Sequence, residues 1–188
     1  PNANLYIQDA DGSIRQLTFL LNQEIQPSFM ADGRLIFTAE KREPEFHQLA
    51  GRRLNLDGGD YHPLFAQRDS VGYAAATEIA ELLDRNLVMV ASPIDAADGA
   101  GRLVIVNRSI GPDQDDRDPN DRYYISAQRF VGRGVFRSPH PLPSGRMIAS
   151  CDTGSDDPRA GGFDFELCEV DPANGATRVL GGRAGRAD

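Results

Sequence analysis

The sequence is poor in the features that announce a membrane span, a nucleic-acid binder or a catalyst. No stretch approaches the roughly 18 consecutive apolar residues of a membrane helix. Basic residues are in the minority: 20 Lys and Arg face 28 Asp and Glu, a formal charge of −8. Phosphate backbones and anionic lipid demand a basic surface, so neither nucleic acid nor membrane is an expected partner. A local arginine patch remains compatible with that balance. No charged and apolar leader opens the chain at Pro1, so no signal peptide is expected, although a mature or excised chain would read the same. No G-x-S-x-G elbow occurs, and Ser138 and Ser150 sit in no such context. The runs GRGVF (132–136) and GRAGR (182–186) precede no helix and are not nucleotide loops. Only two cysteines occur. Cys151 and Cys168 fall on strands expected to be neighbours. They either pair in an oxidising compartment or serve as two small buried hydrophobes. Without a supporting histidine pair they make a poor zinc site.

What is present is turn chemistry. The 188 residues are 40% hydrophobic and 26% charged, with 19 Gly and 12 Pro. That composition suits a globular chain of short strands. The organising stretch is Gln26–Glu40, QPSFMADGRLIFTAE. A strand (Pro27–Met30) enters a turn at Ala31-Asp32-Gly33, and a second strand (Arg34–Ala39) leaves it. Asp and Gly suit a turn that needs φ > 0 and a side chain able to bond nearby backbone.

Similar hairpins run along the chain. Asn4–Ala10 and Ile14–Phe19 flank Asp11-Gly12, with Leu5 and Ile7 on one face and Tyr6 on the other. Leu20–Ile25 reads as a connection. His47–Leu56 and Tyr61–Phe65 flank Asp57–Asp60. Val71–Leu82 contains AAATEIAELL, whose composition favours helix. Its place before the turn Asp84-Arg85-Asn86 and the strand Leu87–Ala91 favours strand, which is the expectation adopted. Asp95–Gly101 reads as a loop and Arg102–Asn107 as a strand. Gly111–Arg122 is a charged, exposed insertion. Gly134–Ser138 and Arg146–Cys151 read as strands around the turn Ser144-Gly145. Asp152–Gly162 is an acidic loop. Phe163–Val170 and Thr177–Leu180 flank Asp171–Gly175.

Two hairpin types alternate. PSFMADGRLIFTAE (27–40), AELLDRNLVMVAS (80–92) and PHPLPSGRMIASCD (139–152) form one set. LYIQDADGSIRQLTF (5–19), RLNLDGGDYHPLF (53–65) and LCEVDPANGATRVL (167–180) form the other. Paired, they predict four-stranded antiparallel sheets repeating at about 50 residues, the period of a β-propeller. The expected fold class is therefore all-β, a partial β-propeller of about three and a half blades. Its expected parts are a half blade (4–19), blades at 26–66, 71–128 and 133–180, and a frayed tail (183–188). Such an array is either part of a longer propeller or self-associates to cover its flanks.

These residues resemble the WD40-like (PD40) repeats of TolB-type propellers. Pro27, Phe29, Asp32, Gly33, Arg34, Ile36 and Phe37 match the first part of that repeat. Leu5, Tyr6, Asp9, Asp11, Gly12, Leu17 and Thr18 match the remainder. The segment FRSPHPLPSGRMIAS (136–150) more distantly resembles the propeller module of proteins related to the hydrazine synthase alpha subunit. Those carry c-type haem through CxxCH elsewhere. No CxxCH occurs here, so no haem or other cofactor is expected. The TolB resemblance implies a periplasmic or cell-envelope setting. The expected function is a non-enzymatic binding or scaffold module that takes a protein partner through loops at the blade ends. The alternative is an accessory propeller of a larger peptidase or haem enzyme.

Asp116, Arg117, Asp118, Asp156 and Asp157, on the two long loops, are the expected partner contacts, since rigid strands present variable loop side chains. Asp113, Asp115, Asp116, Asp118 and Asp121 are Ca²⁺ candidates by ligand type, as are Asp152, Asp156 and Asp157, but no EF-hand spacing supports them. Asp11, Asp32 and Asp57 are expected to cap turns. His47, His62 and His140 could meet at a propeller's axial mouth as a metal site; packed or surface histidines are the plainer reading.

Overall fold

The computed structural model describes residues 3–43, 46–65, 73–107 and 128–181. Those residues form an all-β fold. The strands are β1 (Tyr6–Gln8), β2 (Ile14–Gln16), β3 (Glu24–Phe29), β4 (Leu35–Glu43), β5 (Phe46–Leu54), β6 (His62–Phe65) and β7 (Ala75–Glu81). They continue as β8 (Leu87–Ser92), β9 (Gly101–Val106), β10 (Gln128–Pro141), β11 (Met147–Asp152), β12 (Glu166–Val170) and β13 (Thr177–Gly181). One 3-10 turn, Ala97–Gly99, joins β8 to β9.

The β1–β2 hairpin stands apart, and the strands from β3 to β13 follow one hydrogen-bonded path except β6, which pairs off it with β5. Neighbours along this path pair antiparallel, except that β5 meets β7 through a single parallel bridge, Leu49 to Ala75. Strand β10 changes partner along its length. Gln128–Val131 pair with β9 and Val135–Pro141 with β11, with Phe136 paired to Gly101 of β9 as well as to Cys151. Between them Gly132 and Gly134 have φ of +76° and +108°. A Cβ on Gly134 would lie 2.3 Å from the Asp152 carbonyl oxygen, so glycine is required where the chain bends.

Apart from the wider Asp171–Ala176 turn, the hairpin turns share one hydrogen-bond pattern. Met30 N donates to Arg34 O and Gly33 N to Met30 O. Leu82, Arg85 and Asn86 repeat this, as do Leu142, Gly145 and Arg146. The Asp-Gly pair is lost at Asp84-Arg85 and Ser144-Gly145, yet the geometry survives: Arg85 adopts φ +72° in the glycine's place. The turn aspartates cap as expected. Asp11, Asp32 and Asp57 each accept from the backbone N–H two residues on, at 2.9, 3.1 and 2.8 Å.

The core consists of three apolar layers between sheet segments. Leu5, Leu17, Leu35, Phe37 and Leu54 fill the first. Ile36, Ile79, Leu87, Met89 and Val104 fill the second. Val88, Val90, Leu103, Phe136 and Met147 fill the third. Alternate residues of β4 and β8 enter different layers, so β8 is buried throughout and β4 from Leu35 to Glu40. In β11 only Met147, Ala149 and Cys151 are buried; Ile148, Ser150 and Asp152 are half-exposed. Burial of each large apolar side chain stabilises by about 1.5–3 kcal/mol.

Several boundaries move from the sequence reading. Glu24 and Ile25 belong to β3 rather than to a connection, and the last hairpin starts at Glu166 rather than Phe163. The alanine-rich 75–81 segment is a strand. Its small side chains fit between neighbouring sheets, where Thr38 Oγ1 donates to Ala76 O at 3.0 Å.

Candidate functional site

Two places gather polar groups: a row along β3, β7 and β10, and the loop end of β8, β9 and β11. Each of the three strands carries a bulge, marked by register shifts between Ile25 and Ser28, Thr77 and Ala80, and Arg137 and His140. At each bulge one non-glycine residue is left-handed: Gln26 at φ 55°, Glu78 at 52° and Ser138 at 51°. Such bulges redirect a side chain. Here the side chains of Gln26 and Glu78 each reach the next bulge, and that of Ser138 reaches back. Glu78 N donates to Gln26 Oε1 at 3.1 Å, across 52 residues. Ser138 N donates to Glu78 Oε2 at 2.6 Å and Ser138 Oγ donates to Glu78 Oε1 at 3.2 Å, across 60 residues. Pro27, Ser28, Ile79, Ala80, Pro139 and His140 complete an open depression of about 360 Å³ over this row.

The second place is built from loops. Asp152 Oδ1 accepts from Gly154 N at 2.7 Å and its Oδ2 from Asp164 N at 2.9 Å. Asp156 Oδ1 accepts from Gly134 N at 2.8 Å, and Asp157 Oδ1 accepts from Arg159 N at 2.9 Å. These carboxylates fold the loop on itself and tie it to the β10 bend. The loop also docks on its neighbour: Ala97 N donates to Pro158 O at 2.8 Å, and Arg159 Nε to Asp95 Oδ1 at 2.9 Å. The Arg159 hydrogen bond, foremost among the causes, holds the Asp95 carboxyl below the usual carboxylate range.

Of the expected partner contacts, Asp156 and Asp157 are exposed on this loop. Asp116, Arg117 and Asp118 lie outside the described residues, as do the calcium candidates Asp113, Asp115 and Asp121. The strands flanking that insertion can be placed. Val106 pairs with both Leu87 and Gln128, at the opposite end of β8 and β9 from Ser92 and Gly101. The chain thus enters the insertion at one end of the sheet and the 153–165 loop at the other.

The histidines do not converge on an acidic cluster. His47 Nε2 lies 2.9 Å from Glu40 Oε1, while His62 is exposed opposite Arg53 and His140 opposite Ile148. Among the described residues no group of three or more His, Cys, Asp or Glu side chains is placed to hold a metal. Cys151 and Cys168 are joined as a disulfide between adjacent strands, with Cα atoms 5.9 Å apart.

Two buried carboxylates escaped the sequence reading. Burial raises the Glu40 carboxyl, but the Gln23 amide, Arg42 and His47 outweigh it and leave the group below its ordinary value. Glu24 is buried and accepts from the Tyr61 hydroxyl; its Oε1 has no partner among the described residues. Burial, then the bond to Glu24, pushes the Tyr61 hydroxyl well up.

No family model matches the chain. It is 27% identical over 147 residues to hydrazine synthase subunit alpha of Kuenenia stuttgartiensis, across 73% of this chain and 17% of that protein. The solved Kuenenia stuttgartiensis hydrazine synthase superposes with a TM-score of 0.69 at 22% identity, over 91% of this chain and 21% of that one. The chain therefore spans about a fifth of the length of the proteins it matches. The structural likeness is one of fold: β-rich and resembling a propeller domain.

Proposed function

We propose that this chain is a non-enzymatic binding and scaffold module, a TolB-like propeller segment within a longer protein. Its four-stranded blades are β3–β6, β7–β9 with the first half of β10, and the second half of β10 with β11–β13. The β1–β2 hairpin is the outer half of a preceding blade. The module takes a protein partner on the loop end, through Asp156 and Asp157. One observation carries this reading: the 153–165 loop is locked by its own aspartates and by Ala97 and Arg159 onto the adjacent repeat. A prefixed loop loses little entropy on association. A periplasmic or cell-envelope location accords with the Cys151–Cys168 disulfide, which suits an oxidising compartment.

A second reading is favoured by the comparison with hydrazine synthase subunit alpha, of which the chain covers 17%. A module of that relative size suits an accessory propeller that positions substrate for chemistry carried elsewhere in the polypeptide.

Cross-linking mass spectrometry of the full-length protein, with a carboxylate-reactive linker, tests both. Links from Asp156 and Asp157 to a separate protein support the first reading. Links to a catalytic domain of the same polypeptide support the second. Links confined to the turn end, around Asp32 and Asp84, would overturn the placement of the surface.

A further inference from the structure

A cavity of about 480 Å³ opens at the loop end of β8 and β9. That volume suits a small organic molecule. Its walls are mainly apolar, from Pro93, Ile94, Pro158 and Phe130, and two arginines enter it. They differ in what they already hold. Arg159 Nε is engaged by both oxygens of Asp95, at 2.9 and 3.0 Å. Arg102 lies over the Phe130 ring, 5.5 Å from its centroid, and its Nε is buried with no hydrogen-bond partner among the described residues. A stacked guanidinium keeps its edge free for two parallel hydrogen bonds, the geometry that matches a carboxylate. Arg52 and Arg53 also have buried, unpartnered Nε atoms, and Arg52 also lies over a ring, that of Tyr61; what sets Arg102 apart is that it lines this cavity.

We infer that this cavity binds a carboxylate carried on a compact apolar body, with the Arg102 guanidinium taking the anion and Ile94, Pro93 and Pro158 covering the body. A free small acid and the C-terminal carboxylate of a peptide ending in an apolar residue share this chemistry. The inference stands on the cavity alone and does not depend on the protein-partner reading above.

Calorimetric titration of the full chain with benzoate, and with the neutral isostere benzamide, tests it. Benzoate should bind at millimolar concentration or below, and benzamide at least about tenfold more weakly, since hydrogen bonds to charged groups are the strong ones. Arg102→Gln should weaken benzoate by about tenfold or more while leaving the circular dichroism spectrum unchanged. Ile94→Trp fills the cavity without touching Arg102 and should abolish binding, which keeps the test decisive if the arginine variant folds poorly. N-acetylphenylalanine binding more tightly than benzoate identifies a peptide terminus as the source; the reverse order identifies a free acid. Equal binding of benzoate and benzamide, no benzoate binding at millimolar concentration, or an Arg102→Gln protein that binds like the parent would each overturn the inference.

Discussion

Replacing Gly134 with alanine isolates the steric demand at the β10 bend, provided Gly33→Ala is measured beside it. Both glycines are left-handed, at φ +108° and +86°. Nothing lies within 4 Å of a Cβ built on Gly33. Alanine there meets only the left-handed penalty of about 1–2 kcal/mol. Reduced freedom of the unfolded chain offsets roughly 0.4–1 kcal/mol of it. The expected net loss is therefore about 1 kcal/mol. On Gly134 the same Cβ would sit 2.3 Å from Asp152 O and 2.9 Å from Thr153 Cα, both backbone atoms. Neither can swing away as a side-chain tip can. Overpacking adds about 1–3 kcal/mol. Displacing Gly134 N from Asp156 Oδ1 adds about 1 kcal/mol more. The total is about 3–5 kcal/mol, a large part of an ordinary domain's stability. The protein has no tryptophan, so urea unfolding should be followed by far-ultraviolet circular dichroism. Equal losses in the two variants, within about 0.5 kcal/mol, would refute the claim that the bend is set by contact rather than by φ alone.

Three further outcomes follow from the geometry. Reducing the Cys151–Cys168 bridge, which closes a 17-residue separation, should cost about 3 kcal/mol, read as a lower melting temperature in dithiothreitol that a Cys151→Ala/Cys168→Ala protein does not show. Glu78→Ala should cost about 1 kcal/mol by removing the acceptor for Ser138 N and Oγ, whereas Glu78→Gln should retain most of that; equal losses would mean the link carries nothing. The Glu40 carboxyl is depressed in the fold, so its contribution is present above the unfolded-state pKa and is lost as pH falls through the lower folded value; Glu40→Gln should flatten that acid limb of a melting-temperature profile without adding one at neutral pH.

The hairpins were legible because their turns obey local chemistry: an aspartate bonding two residues ahead and a glycine in the left-handed well. Position in the repeat correctly outweighed helix propensity at Ala75–Glu81, because burial on both faces rewards small side chains there. Strand β10 was read as Gly134–Ser138 alone, since two glycines look like a break when they are a bend with pairing on either side. The bulge row was hidden for a different reason. Gln26, Glu78 and Ser138 share a left-handed backbone angle but no residue type. Arg102 was equally silent, because one arginine in a strand acquires meaning only when Phe130 and the 93–100 loop are brought beside it. Asp156 and Asp157 were singled out by charge and loop position, and each commits an oxygen to a backbone amide that no composition argument could foresee.

The linkage through Gln26, Glu78 and Ser138 has a direction. In each step the earlier bulge contributes a side-chain oxygen and the later one its backbone amide. An amide is present whatever residue occupies the position, proline excepted, so one codon alone decides whether a given step exists. The chain can therefore vary freely on the amide side of each step, while the accepting side chains of Gln26 and Glu78 are the ones that must be kept.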